Sequence, residues 1–175
     1  MKMQIKVMLL TVVMLGAFLF SAPAQAQAAR DGGKLGVGLG AGTVVAGLSL
    51  KKQLGGALAV QGVIGSWRGY GQHWHISGDA FGVAGDILLE QAPLASGQVL
   101  SLGWNYGAGA GVGLGGGSSV LLGVTGVLGL EFNFVPAPID FVIEYRPGLY
   151  IGAGYGDSDL GLSFIDFTGH LRFWF

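Results

Sequence analysis

The carboxy-terminal stretch Phe167-Thr-Gly-His-Leu-Arg-Phe-Trp-Phe175 decides the fold. Counting back from Phe175, alternate residues are Phe173, Leu171, Gly169 and Phe167, and the interleaved set is Trp174, Arg172, His170 and Thr168. A strand sends successive side chains to opposite faces. One face is therefore apolar and aromatic, and the other is mostly polar. A strand of a membrane barrel has this polarity, with lipid outside and a polar lumen inside.

The same period runs back through the chain. Eight segments alternate with period two: roughly 34–41, 43–51, 56–65, 73–90, 98–111, 119–134, 139–153 and 162–175. Short connections with turn chemistry separate them, among them Lys52-Gln-Leu-Gly55, Gln91-Ala-Pro-Leu-Ala-Ser-Gly97, Pro136-Ala-Pro138 and Gly154-Tyr-Gly-Asp-Ser-Asp159. Helices are excluded even in the uncharged stretch 91–130. It carries Gly107, Gly109, Gly111, Gly113 and Gly115 at a spacing of two, and each glycine inside a helix costs about 1 kcal/mol relative to alanine. The expectation is an all-β fold, an eight-stranded antiparallel up-and-down transmembrane β-barrel. An even strand count puts both ends on one side, and eight spans of about 9–11 residues fill the available length.

The amino-terminal end gives the compartment. Lys2 and Lys6 precede an apolar run from Val7 to Phe20, followed by small residues around Ala22, Ala24, Ala26 and Ala28. This order predicts a Sec-type signal peptide over 1–26, cut near 24–28, with the barrel domain over 27–175. Removing it leaves 149 residues, with ten Asp/Glu against seven Lys/Arg once Lys2 and Lys6 are gone. That balance offers no basic patch for nucleic acid. The absence of cysteine excludes disulfides, thiol chemistry and a lipid anchor on cysteine.

Facing follows from register, because a one-residue slip turns every charge into lipid. In the seventh segment Phe141, Ile143, Tyr145, Pro147, Leu149 and Ile151 share the outward face, opposed by Asp140, Val142, Glu144, Arg146 and Gly148. The sixth sends Leu122, Val124, Leu128, Leu130, Phe132 and Phe134 out, with Thr125, Glu131 and Asn133 in. The fourth segment is read with His73, His75, Ser77, Asp79 and Phe81 inward, which leaves Asp86 and Glu90 on the outward parity, beyond the membrane edge or after a bulge. The expected lumen charges are Asp79, Glu131, Glu144, Arg146, Asp166 and Arg172, joined by His75, Ser77, Asn105 and His170. An eight-stranded interior is just wide enough for side chains to fill, and buried charges of both signs pair. A plugged lumen is the expectation, with inward glycines making room for Phe81, Trp174 and the arginines. Aromatic belts are expected at both rims: Phe132, Phe134, Phe141, Phe173 and Phe175 at the periplasmic one, and Trp67, Tyr70, Trp74, Tyr150 and Tyr155 at the outer one.

With these features the chain resembles small OmpA/OmpX-like bacterial outer-membrane barrels. The resemblance is specific at the closing strand, where Phe167, Leu171, Phe173 and terminal Phe175 match the assembly signal of that class. It implies an outer-membrane location in a Gram-negative cell, contact with outer-membrane lipids, recognition by the barrel-assembly machinery through the last strand, and a monomer. Two departures matter: no peptidoglycan-binding domain follows the barrel, and the presumed external connections 65–72, 111–119 and 153–159 are short for an adhesin.

Three functional readings follow. A structural or interaction role in the envelope, without catalysis, cofactor or metal, is the first. A narrow ion or solute pore is the second. The third is a lipid-modifying barrel enzyme using Ser77 with His75 and an acid; His73 with His75 also has the spacing of a metal pair. The Gly111–Gly116 run fits a dinucleotide-loop pattern only on paper, because no helix follows it. Asp157 and Asp159 read as a solvated turn.

Overall fold

A computed structural model describes residues 34–42, 45–67, 80–115, 120–154 and 157–175. The predicted signal segment, His73, His75, Ser77, Asp79, Tyr70, Trp74 and Tyr155 lie outside the described residues.

Among the described residues eleven strands form: β1 (Leu35–Gly42), β2 (Val45–Gly55), β3 (Leu58–Trp67), β4 (Ala80–Glu90), β5 (Ala95–Ser96), β6 (Leu100–Leu114), β7 (Val120–Phe134), β8 (Ile139–Tyr145), β9 (Gly148–Gly154), β10 (Asp157–Ser163) and β11 (Phe167–Trp174). They close into an eight-stranded antiparallel barrel. Its ring runs β1, β2, β3, β4, β6, β7, then β8 with β9 as the seventh wall strand and β11 with β10 as the eighth. Closure is β11 on β1, from Gly36 opposite Trp174 to Gly42 opposite Thr168. β5 is a two-residue piece of the 91–99 connection pinned to β6. No helix occurs among the described residues.

Two irregularities have physical causes. Pro147 has no N–H to give a ladder, and the seventh wall strand divides there while keeping its parity against β7. On the other side, Tyr145 pairs Phe167 and Gly148 pairs Ser163, so Arg146 and Pro147 oppose three residues, Phe164 to Asp166. The extra residue is a bulge that flips the parity of the eighth strand. Phe164 and Ile165 both project outward, and Asp166 turns fully inward. The β2–β3 hairpin also differs from expectation. Its turn is not Lys52–Gly55 but Gly56–Ala57, with Gly55 and Gly56 at positive φ, a backbone that glycine adopts without a Cβ clash. Lys52 and Gln53 are therefore strand residues, and Lys51, at the end of the predicted segment, lies well inside β2.

Polarity is inverted relative to a water-soluble barrel. Outward positions carry Leu39, Leu48, Ile64, Ile87, Leu128, Ile143, Leu171 and Phe173, all 40% exposed or more. The sixth and seventh segments and the closing strand face as the sequence predicts. The fourth does not. In β4 Phe81 points outward, 52% exposed, while Asp86 and Glu90 are buried inside. The long 73–90 reading carried one parity across the whole segment, and β4 has the other.

Candidate functional site

The lumen is the only part of the described molecule where polar chemistry is concentrated, and it is layered. Towards the end carrying Leu35 and Phe175, Lys51 on β2 reaches Glu90 at 2.5 Å and also pairs Glu131 on β7. Asn105 Nδ2 donates to Glu131 at 2.6 Å, and Gln53 Nε2 to Glu90 at 3.4 Å.

The middle layer is built on Arg146. Its guanidinium is bidentate on Asp86 (2.5 and 3.0 Å) and reaches Glu144 at 2.8 Å, the fork geometry in which arginine binds carboxylates best. Gln61 joins the groups. Its amide nitrogen donates to Asp86 (3.0 Å) and Glu144 (2.6 Å), and its oxygen accepts from Arg172 at 2.9 Å. Arg172 and Trp174 both donate to Asp140, at 3.2 and 2.9 Å. His170 Nε2 lies 3.2 Å from Glu144 and its Nδ1 2.9 Å from Ser49 Oγ. A carboxylate accepts only, so Nε2 carries the hydrogen and the ring is oriented by β2 and β8 together.

Above this, away from the termini, the lumen becomes apolar. Val45, Val63, Trp67, Leu121 and Tyr150 pack as one cluster. Each large inward ring lies over a glycine: a Cβ on Gly82 or Gly113 would strike Trp67, one on Gly123 or Gly148 would strike Tyr150, and one on Gly36 would come within 3.0 Å of Trp174. The inward glycines thus make room for rings, as expected for Trp174, though Trp67 and Tyr150 replace Phe81 in that role. Both are almost fully buried, so neither belongs to the outer aromatic belt. Tyr150 hydroxyl lies 3.4 Å from Asp166. A cavity of about 20 Å³ bordered by Val63, Trp67, Ala84, Thr125, Arg146 and Tyr150 remains, room for about one water.

Of the residues singled out from sequence, Glu131, Glu144, Arg146, Asp166, Arg172, Asn105 and His170 all lie buried in the lumen. Phe167, Leu171, Phe173 and Phe175 lie on the outer face, with the Phe173 and Phe175 rings 5.0 Å apart and the Phe132 and Phe141 rings 6.0 Å apart. Lys51, Gln53, Gln61, Asp86 and Glu90 complete the network and were missing from the expected set, together with Asp140, which the facing of the seventh segment had already put inward. Among the described residues no three His, Cys, Asp or Glu side chains converge as a metal-ligand group. No protein-family model, curated protein or solved structure matches the chain.

Proposed function

We propose that this chain is an integral outer-membrane barrel of the OmpA/OmpX-like kind, exported by a cleaved signal, with a plugged lumen and a structural or interaction role in the envelope. One observation carries the reading: the described wall is apolar outside and charged inside. In water that arrangement exposes dozens of large apolar side chains, far beyond the patches soluble monomers tolerate, and buries charges to no purpose. In a bilayer it satisfies both solvents. Every backbone group finds a partner around a closed barrel, and the charged residues meet each other.

The layered interior supports a plug. Ions would have to displace an ion-paired network and then a ring-packed apolar layer. The test is a preparation whose folded band migrates faster before boiling, recovered with the outer-membrane fraction and placed in a planar bilayer. Silence from that barrel is the expected result. Discrete conductance steps would give the pore reading the lead, and altered lipid masses on expression would favour the lipid-modifying enzyme. Recovery as a soluble protein would sink the membrane reading itself.

A further inference from the structure

The lumen is short of positive charge, and one place in it is short of hydrogen-bond donors as well. Six described carboxylates, Asp86, Glu90, Glu131, Asp140, Glu144 and Asp166, are buried with three permanent cations, Lys51, Arg146 and Arg172. Arg146 is engaged by Asp86 and Glu144, and Arg172 by Asp140 and Gln61. Lys51 alone answers both Glu90 and Glu131. Arg172 acts on Lys51 and Glu131 through space; its Nε and Nη1 are spent on Asp140 and Gln61 and its Nη2 has no partner, and counting Asp140 with it keeps three carboxylates against two cations. This cluster is left one charge short.

In the same cluster two buried amide oxygens, Gln53 Oε1 and Asn105 Oδ1, have no donor. Both amides border it, because their nitrogens donate to Glu90 and Glu131. Glu90 and Asn105 are register partners across β4 and β6, and β2 and β7 bring Gln53, Lys51 and Glu131 to the same place. Two carboxylates and two amide carbonyls form a hard-oxygen donor set, the type that binds cations without d-electron preferences.

The possible occupants differ in what they mend. A water fills both oxygens and leaves the charge. A proton cancels the charge and supplies one donor for two acceptors. A divalent ion leaves the cluster net positive beside Lys51. One alkali-metal ion mends both deficits. We propose that Glu90, Glu131, Gln53 and Asn105 bind a single sodium or potassium ion beside the Lys51 ammonium, as a structural part of the plug.

The site depends on the lumen alone and not on membrane placement. The test is thermal unfolding of the full folded protein in zwitterionic micelles, with choline chloride exchanged for NaCl or KCl at constant ionic strength. Binding to the folded state raises its stability in a saturable way. The expected result is a saturable rise of a few degrees in the midpoint with one alkali ion and none with choline. Glu90→Gln abolishes the rise; Gln53→Met, which keeps volume and loses the amide oxygen, shifts the saturation curve to higher ion concentration. Identical curves in choline, sodium and potassium would overturn the proposal, as would an ion dependence that survives in both variants. Stabilisation by acid in choline buffer with no alkali effect would assign the site to a proton and overturn it too.

Discussion

Arg146→Met removes the cation that two buried carboxylates share. Asp86 then keeps one contact, the Gln61 amide at 3.0 Å, while Glu144 keeps Gln61 at 2.6 Å and His170 at 3.2 Å. The side chains of Asp86 and Glu144 are 2% and 0% exposed, so water cannot take the place of the guanidinium. Breaking a buried pair by deleting one partner costs about 3–5 kcal/mol, and most of that falls on Asp86 because it retains less. Adding Asp86→Leu should restore much of the loss, since an apolar pair of similar size is often neutral in place of a buried ion pair. The double variant is expected to be more stable than Arg146→Met alone, with a coupling of about 2 kcal/mol or more between the two sites. Urea unfolding of the barrel in lipid vesicles, followed by the heat-modifiable band, measures all three. A loss below about 1 kcal/mol for Arg146→Met, or simple additivity of the two changes, would refute the claim that this pair holds the lumen.

Other outcomes follow from the same geometry. Gly113→Leu places a side chain where Trp67 sits and should cost about 1–3 kcal/mol by overpacking, whereas Gly85→Ala, whose Cβ would approach nothing closer than 3.8 Å, should be neutral or slightly stabilising; urea midpoints of the two decide it. Leu128→Arg, at the middle of the outward face of β7, should cost about 2–4 kcal/mol in vesicles if that face meets lipid, and an unchanged midpoint would count against the membrane reading. Trp67→Ala and Lys51→Met, alone or together, should leave planar bilayers silent, because each opens one layer and the Arg146 layer between them stays closed; steps from the double variant would show that the Arg146 layer does not seal the lumen.

The closing strand was legible because its two faces differ: Arg172 or His170 turned outward would stand in a row of Phe and Leu side chains, and no neighbouring residue offers a competing register. The same held for Glu131 and for Glu144 with Arg146. Lys51 and Gln53 were equally legible in principle, as Ser49, Lys51 and Gln53 alternate with Leu48, Leu50 and Leu54. Gln53 was lost by placing the turn at Lys52–Gly55, where the polar residues suggested a loop, and not at the glycine pair that permits the backbone; Lys51 stood at the last position of the predicted 43–51 segment, where a charge is as well suited to a strand end as to a lumen. Trp67 shares parity with Ala59, Gln61 and Val63, which puts it inside, but an aromatic near a strand end is equally suited to a rim belt. What decides between them is a glycine on the facing strand, and that neighbour is known only once the register is known.

Asp86 and Glu90 show a different limit. Parity can be carried along a strand only while the strand is regular, and a bulge reverses it without any obligatory residue type. The eighth wall strand demonstrates this directly: Leu160 and Leu162 face outward on even numbers, Phe167, Leu171 and Phe173 on odd ones, and the change occurs across Phe164–Asp166 with no proline or glycine to mark it. The physical test that does survive is charge. Assigning Asp86 outward strands a carboxylate in the apolar face and leaves Arg146 with Glu144 alone. Assigning it inward completes a bidentate pair and gives Gln61 its acceptor. Pairing of buried charge, applied across strands and not along one, therefore selects the observed parity of β4 where periodicity could not.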